Sequence, residues 1–189
     1  LLTTAQFGTI DRWDVCEVTN MDDLFKGKTS FNADITAWNT EALETMVGMF
    51  EGASVFNQDI GNWKIGKVTT LERAFKGASA FDQDIGGWDT SNVVSLESTF
   101  EATSFDQDIG GWDTLAVQTL KRTFADSSFN SPIDAWDISA VINMYETFFN
   151  AVSFNQPLKT WDVSGVSDMT RTLENAVVFA QDVSHWDYS

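Results

Sequence analysis

Residues 81–105 read FDQDIGGWDTSNVVSLESTFEATSF, from Phe81 through Trp88 and Phe100 to Phe105. The same order of residues returns along the whole chain. All eight tryptophans keep its register, at Trp13, Trp38, Trp63, Trp88, Trp112, Trp136, Trp161 and Trp186, in steps of 25, 25, 25, 24, 24, 25 and 25 residues. Constant spacing marks one small structural unit copied along the chain, and that reading decides the fold before any element is assigned.

Other columns share the register. A phenylalanine stands seven residues before each tryptophan (Phe31, Phe56, Phe81, Phe105, Phe129, Phe154, Phe179), with Phe7 one residue closer in the first copy. An aliphatic residue stands three before (Ile10, Ile35, Ile60, Ile85, Ile109, Ile133, Leu158, Val183). After the tryptophan, Val93, Leu96 and Phe100 lie at i, i+3 and i+7, the spacing of one face of a short helix. Ser91 and Asn92 suit its N-cap, and Gly52 and Gly77 suit a helix C-terminus in neighbouring copies. Around the tryptophan the pattern alternates: Trp88 and Thr90 to one side, Gly87 and Asp89 to the other, as in a short strand. The expected fold class is therefore α/β. It is a leucine-rich-repeat-like solenoid of about 7.5 repeats, with short parallel strands on one face and short helices on the other. Residues 1–189 are expected to form a single repeat domain, with a partial last copy at Trp186. The two 24-residue steps each lose a residue between the helix-end Phe and the next Phe, where a surface turn is expected.

With 43% hydrophobic residues among 189, the composition is that of a folded chain. The formal net charge is −17, which argues against nucleic acid and against adsorption to anionic lipid, and fits basic protein partners. No apolar run reaches a membrane span. Cys16 is the single cysteine and stands where other copies have Ser91, Ser139 and Ser164, so a small turn residue is expected there. His185 is the single histidine, so no multi-histidine metal site can form. No phosphate-binding loop or CxxC pair occurs. No catalytic residue, metal ligand or cofactor is expected, and the chain reads as a non-enzyme.

The acid falls in columns. One residue after each tryptophan come Asp14, Asn39, Lys64, Asp89, Asp113, Asp137, Asp162 and Asp187. If the indoles point inward, these neighbours point outward. The six aspartates, Asp14, Asp89, Asp113, Asp137, Asp162 and Asp187, are the candidate binding residues of an acidic strand face. Two readings stand for them: shaping the turn before the helix, or presenting carboxylates to a cation or a basic partner. A second column, Asp34, Asp59, Asp84, Asp108 and Asp182, gives way to Pro132 and Pro157, which argues against a calcium site that needs every rung. A third, Asn32, Asn57, Asp82, Asp106, Asn130 and Asn155, reads as structural, satisfying backbone groups of adjacent coils. Many basic residues (Lys26, Arg73, Lys76, Arg122, Arg171) fall instead on the expected helix. The tryptophan column is read as core, against the rival reading of an exposed row that stacks on sugars.

The segments FDQDIGGWDTSNVVSL (81–96), FNQDIGNW (56–63) and WDVCEVTNMDDLF (13–25) resemble the roughly 25-residue surface-protein repeat of mycoplasma lipoproteins. That repeat is related to BspA-like leucine-rich repeats and is also found in marine algae and protists. The resemblance spans the whole chain; Lys64 and Leu115 depart from the pattern. It implies a surface-exposed, often adhesive protein, at the cell surface or extracellular, with an intracellular assembly as the alternative for an algal or protist source. It carries no catalytic residue to transfer. The leading expectation is a non-enzymatic protein–protein interaction or adhesion module, a rigid acidic scaffold that binds through its strand face and inserts into no membrane. The alternative is a structural or accessory subunit docked in a larger assembly through its edges, with end-to-end contacts. A carbohydrate-active or calcium-binding solenoid ranks third.

Overall fold

The computed structural model describes residues 9–186. It overturns the expected α/β class. The chain is about 2% helical and 4% strand, with no sheet among the described residues, so it is not a leucine-rich-repeat-like solenoid of strands and helices. Among the described residues the one helical element is a 3-10 turn at Ile10–Arg12. Strand pairing is reduced to five isolated parallel bridges: Asn20 with Thr45, then Thr70, Ser95, Thr119, Asn143 and Asp168 in succession.

The copies nevertheless lie side by side as coils, and their regularity resides in linked turns. Residues 21–28 show the unit. The amides of Leu24, Lys26 and Lys28 donate to the carbonyls three residues earlier, at 3.3, 3.1 and 3.0 Å. The alternate amides of Met21, Asp23, Phe25 and Gly27 donate instead to Thr45, Val47, Met49 and Glu51 of the next coil, at 2.9, 2.8, 2.8 and 2.7 Å. Half of the ribbon's peptides therefore close turns within the coil, and the other half tie it to its successor. The pattern recurs at the last interface, where Met144, Glu146, Phe148 and Asn150 donate to Asp168, Thr170, Thr172 and Glu174. All of these ties run one way, from amide to the carbonyl of the following coil.

This ribbon occupies the segment expected to be a helix. Every positive φ among the described residues falls ten or fourteen residues after a tryptophan, for example Ser98 at 55° and Ala102 at 57°, or Arg73 at 53° and Gly77 at 68°. Two left-handed residues per coil are incompatible with an α-helix of L-residues. The inward face was still assigned correctly: Val93, Leu96 and Phe100 are buried. Successive turns of about four residues place side chains on one face at the same spacing as a helix does, so periodicity alone does not separate the two. Ser91 and Asn92 cap no helix. Ser91 donates to Asp89, and the Asn92 amide donates to the Gly66 carbonyl one coil earlier at 2.7 Å.

The expected strand is also a turn. The Trp88 amide donates to Ile85 at 3.1 Å, and no inter-coil bridge forms at the tryptophan. The alternation holds all the same: Trp88 and Thr90 are buried, Gly87 and Asp89 exposed.

Three aromatic columns fill the core. Phe75 stacks on Phe81 within its coil, with ring centroids 4.1 Å apart, and on Phe100 of the next at 5.8 Å. Phe81 stacks on Phe105 at 5.9 Å, and Trp88 on Trp112 at 6.4 Å with the rings 6° from parallel. Each buried indole also needs an acceptor for its N–H. Trp38, Trp63, Trp88, Trp112, Trp136 and Trp161 find it in the carbonyl of Ile10, Ile35, Ile60, Ile85, Ile109 and Ile133, one coil earlier, at 2.9–3.2 Å.

Polar ladders complete the stack. The third column is structural as expected: the side-chain oxygens of Asn32, Asn57, Asp82, Asp106 and Asn130 each accept the backbone amide of the same position one coil later, at 2.6–2.9 Å. Asn155 does the same for Ala180. The buried hydroxyls of Thr99, Thr123, Thr147 and Thr172 each donate to carbonyls of their own coil and of the preceding one. The two shortened copies lose their residue in the turn that leaves the ribbon. There the hydroxyls of Thr103 and Ser127 bond to Phe100 and Phe124 at 2.8 Å.

Candidate interaction face

The candidate aspartates project from the outer side of the segment that carries the tryptophans. Asp14, Asp89, Asp113, Asp137 and Asp162 are all exposed, and their neighbours Val15, Thr90, Thr114, Ile138 and Val163 turn inward. Asp187 lies outside the described residues. One carboxylate oxygen of each accepts the backbone amide two residues on: Cys16, Ser91, Leu115, Ser139 and Ser164, at 3.1, 3.2, 3.1, 2.9 and 3.0 Å. This is an Asx turn, which reverses the chain without a helix. The structure thus gives the column the turn-shaping role that was one of its two readings. The second column makes the same turn: Asp59, Asp84 and Asp108 accept the amides of Gly61, Gly86 and Gly110 at 3.0, 3.0 and 2.9 Å.

The turn also holds the charge on. The hydroxyl of Ser91 donates to Asp89 at 2.6 Å, and this bond, with the Ser91 amide, keeps the Asp89 carboxyl below its ordinary value. Ser139 and Ser164 do the same for Asp137 and Asp162. Bonds from Cys16 lower Asp14, and the same contact pushes the Cys16 thiol up, with Glu17 adding to the effect. Exposed but held as a thiol, Cys16 is a poor nucleophile.

Six of the eleven basic side chains, Lys26, Arg73, Lys76, Lys121, Arg122 and Arg171, lie elsewhere, in the ion pairs of the ribbon. Lys76 meets Glu101 at 3.0 Å, and Glu101 meets Arg122 of the next coil at 2.9 Å. Arg122 continues to Glu146, and Glu146 to Arg171 at 2.5 Å. Lys26, Glu51 and Arg73 form a similar run earlier in the stack, at 3.0 and 3.3 Å. None of the five described face aspartates has a cationic partner among the described residues.

The face is not uniform. Lys64 interrupts it, beside a shallow groove lined by Glu41, Lys67 and Asp89 and floored by Gly61 and Gly87. A second hollow, beside Trp136, gathers Asp134, Asp137 and Asp162. Composition did not foretell the apolar side chains exposed nearby, Val94, Leu115 and Ile142. The departure of Leu115 from the serine of other copies was the one visible signal. The tryptophan row offers no sugar platform: from Trp38 to Trp186 every ring is buried. Among the described residues no three of His, Cys, Asp and Glu come together to hold a metal ion, and no helix is long and apolar enough to cross a membrane.

With the repeat and its geometry in view, comparison with known families gives one result. The family described as "Mycoplasma protein of unknown function, DUF285" matches residues 2–110 and again 94–189. The chain belongs to this family. The match supports the resemblance to a mycoplasma repeat, and it does not extend to BspA-like repeats in particular. No curated protein and no solved structure matches the chain.

Proposed function

We propose that the chain is a non-enzymatic protein-binding or adhesion module of the cell surface or extracellular space. Its coil stack is a scaffold, and the face of Asp14, Asp89, Asp113, Asp137 and Asp162 takes up a protein partner with basic patches. The observation that carries this reading is the division of charge. The ribbon pairs Lys26, Arg73, Lys76, Arg122 and Arg171 with its own carboxylates, whereas the face carboxylates are exposed and in no ion pair among the described residues. Hydrogen bonds that lower their pKa keep Asp14, Asp89, Asp137 and Asp162 ionised further into acid. A face of one sign favours encounter with an opposite one, and its pull weakens as salt rises.

The test separates face from bulk charge. An asparagine keeps the acceptor of the Asx turn and removes the charge. The triple variant Asp89→Asn, Asp113→Asn, Asp137→Asn is compared with Asp59→Asn, Asp84→Asn, Asp108→Asn, which changes net charge equally in a column with the same turn. Binding of an oligolysine peptide is measured by calorimetry at low and high salt. The proposal expects several-fold weaker binding for the first variant and little change for the second. Equal weakening in both would show attraction to net charge alone and overturn it.

A further inference from the structure

We draw no further inference here: the strongest candidate, the edge of the first ribbon, where the carbonyls of Asn20, Asp22, Leu24 and Lys26 accept no hydrogen bond from a described residue, carries nothing, because nothing in the structure shows what covers it.

Discussion

The indole Nε1 of Trp88 donates to the backbone carbonyl of Ile60, one full coil earlier, at 3.1 Å. One side chain thus packs the core and ties two coils together. Trp88→Phe keeps an aromatic ring in the stack but removes this bond, so that the Ile60 carbonyl keeps only the Trp63 amide, and opens a small void. The lost bond costs about 0.5–1.5 kcal/mol, and the void adds to it. Urea unfolding should show a loss of about 2 kcal/mol, and a loss below about 0.5 kcal/mol would mean the bond contributes little.

The left-handed positions give a prediction in both directions. At Gly77 an added Cβ would lie 3.7 Å from Gly52 Cα, an ordinary contact, so the cost of Gly77→Ala is conformational. It should destabilise by about 1 kcal/mol, the left-handed penalty less the gain from a stiffer unfolded chain. Ala102→Asn places at φ 57° the residue type that Asn150 and Asn175 already supply in the same column. It should raise stability by about 0.5–1 kcal/mol, read from the same unfolding curves.

Two adjacent glycines should answer oppositely to alanine. A Cβ on Gly86 would meet the backbone carbonyl oxygen of Asp108 in the next coil at 2.4 Å, whereas one on Gly87 meets nothing within 4 Å. Gly86→Ala must push two coils apart and should cost about 2–3 kcal/mol. Gly87→Ala should change stability by less than about 1 kcal/mol, if anything upward. Equal midpoints for the two variants would contradict the close approach.

Glu101 predicts how the stack responds to acid. Burial works against its ionisation, but hydrogen bonds from Arg122, Ser98 and Lys76 outweigh it and leave its pKa below the ordinary 4.5. A carboxyl with a depressed folded-state pKa contributes stability that is whole above the unfolded value and fades as pH falls through the folded one. Glu101→Gln should therefore cost about 3 kcal/mol at neutral pH. The gap between the two proteins should close below pH 4.5. A gap that stays constant into strong acid would show that the ion pair contributes nothing.

Much of this architecture was legible from spacing. The inward columns of Trp, Phe, Ile and Val are the buried ones, and the Asn/Asp column makes the inter-coil bonds expected of it. The secondary structure was not legible, for a physical reason. Val93, Leu96 and Phe100 need only a chain that returns to one face every three or four residues, and linked turns do that as a helix does. A discriminating signal did exist. Fourteen residues after the tryptophan stand Gly27, Gly52, Gly77, Ala102, Asp126, Asn150 and Asn175; all but Ala102 are residue types that tolerate a left-handed backbone, and all seven adopt it. Read as a helix C-terminus, the glycines gave the right conformation for the wrong element. On the acidic face the outward direction was readable from alternation, but the Asx turns were not separable from helix capping. Most of the ribbon's inter-coil ion pairs join the same register place in adjacent coils, as with Lys26 and Glu51, Lys76 and Glu101, and Lys121 and Glu97, and so lie within reach of a column-by-column reading, whereas Arg73 with Glu51 and Arg122 with Glu101 are offset by three places.

The amide-to-carbonyl ties of the ribbon give the stack a sense of direction, as links give one to a chain of magnets. A coil inverted end for end would set hydrogen against hydrogen on one side and oxygen against oxygen on the other. The gene can therefore lengthen or shorten this protein only in whole units laid in the same orientation. Excision of residues 64–88, which would join Trp63 directly to Asp89, removes one such unit and keeps the direction of every remaining tie, although Glu51 and Glu101 lose Arg73 and Lys76 and come to stand in the same register place of adjacent coils.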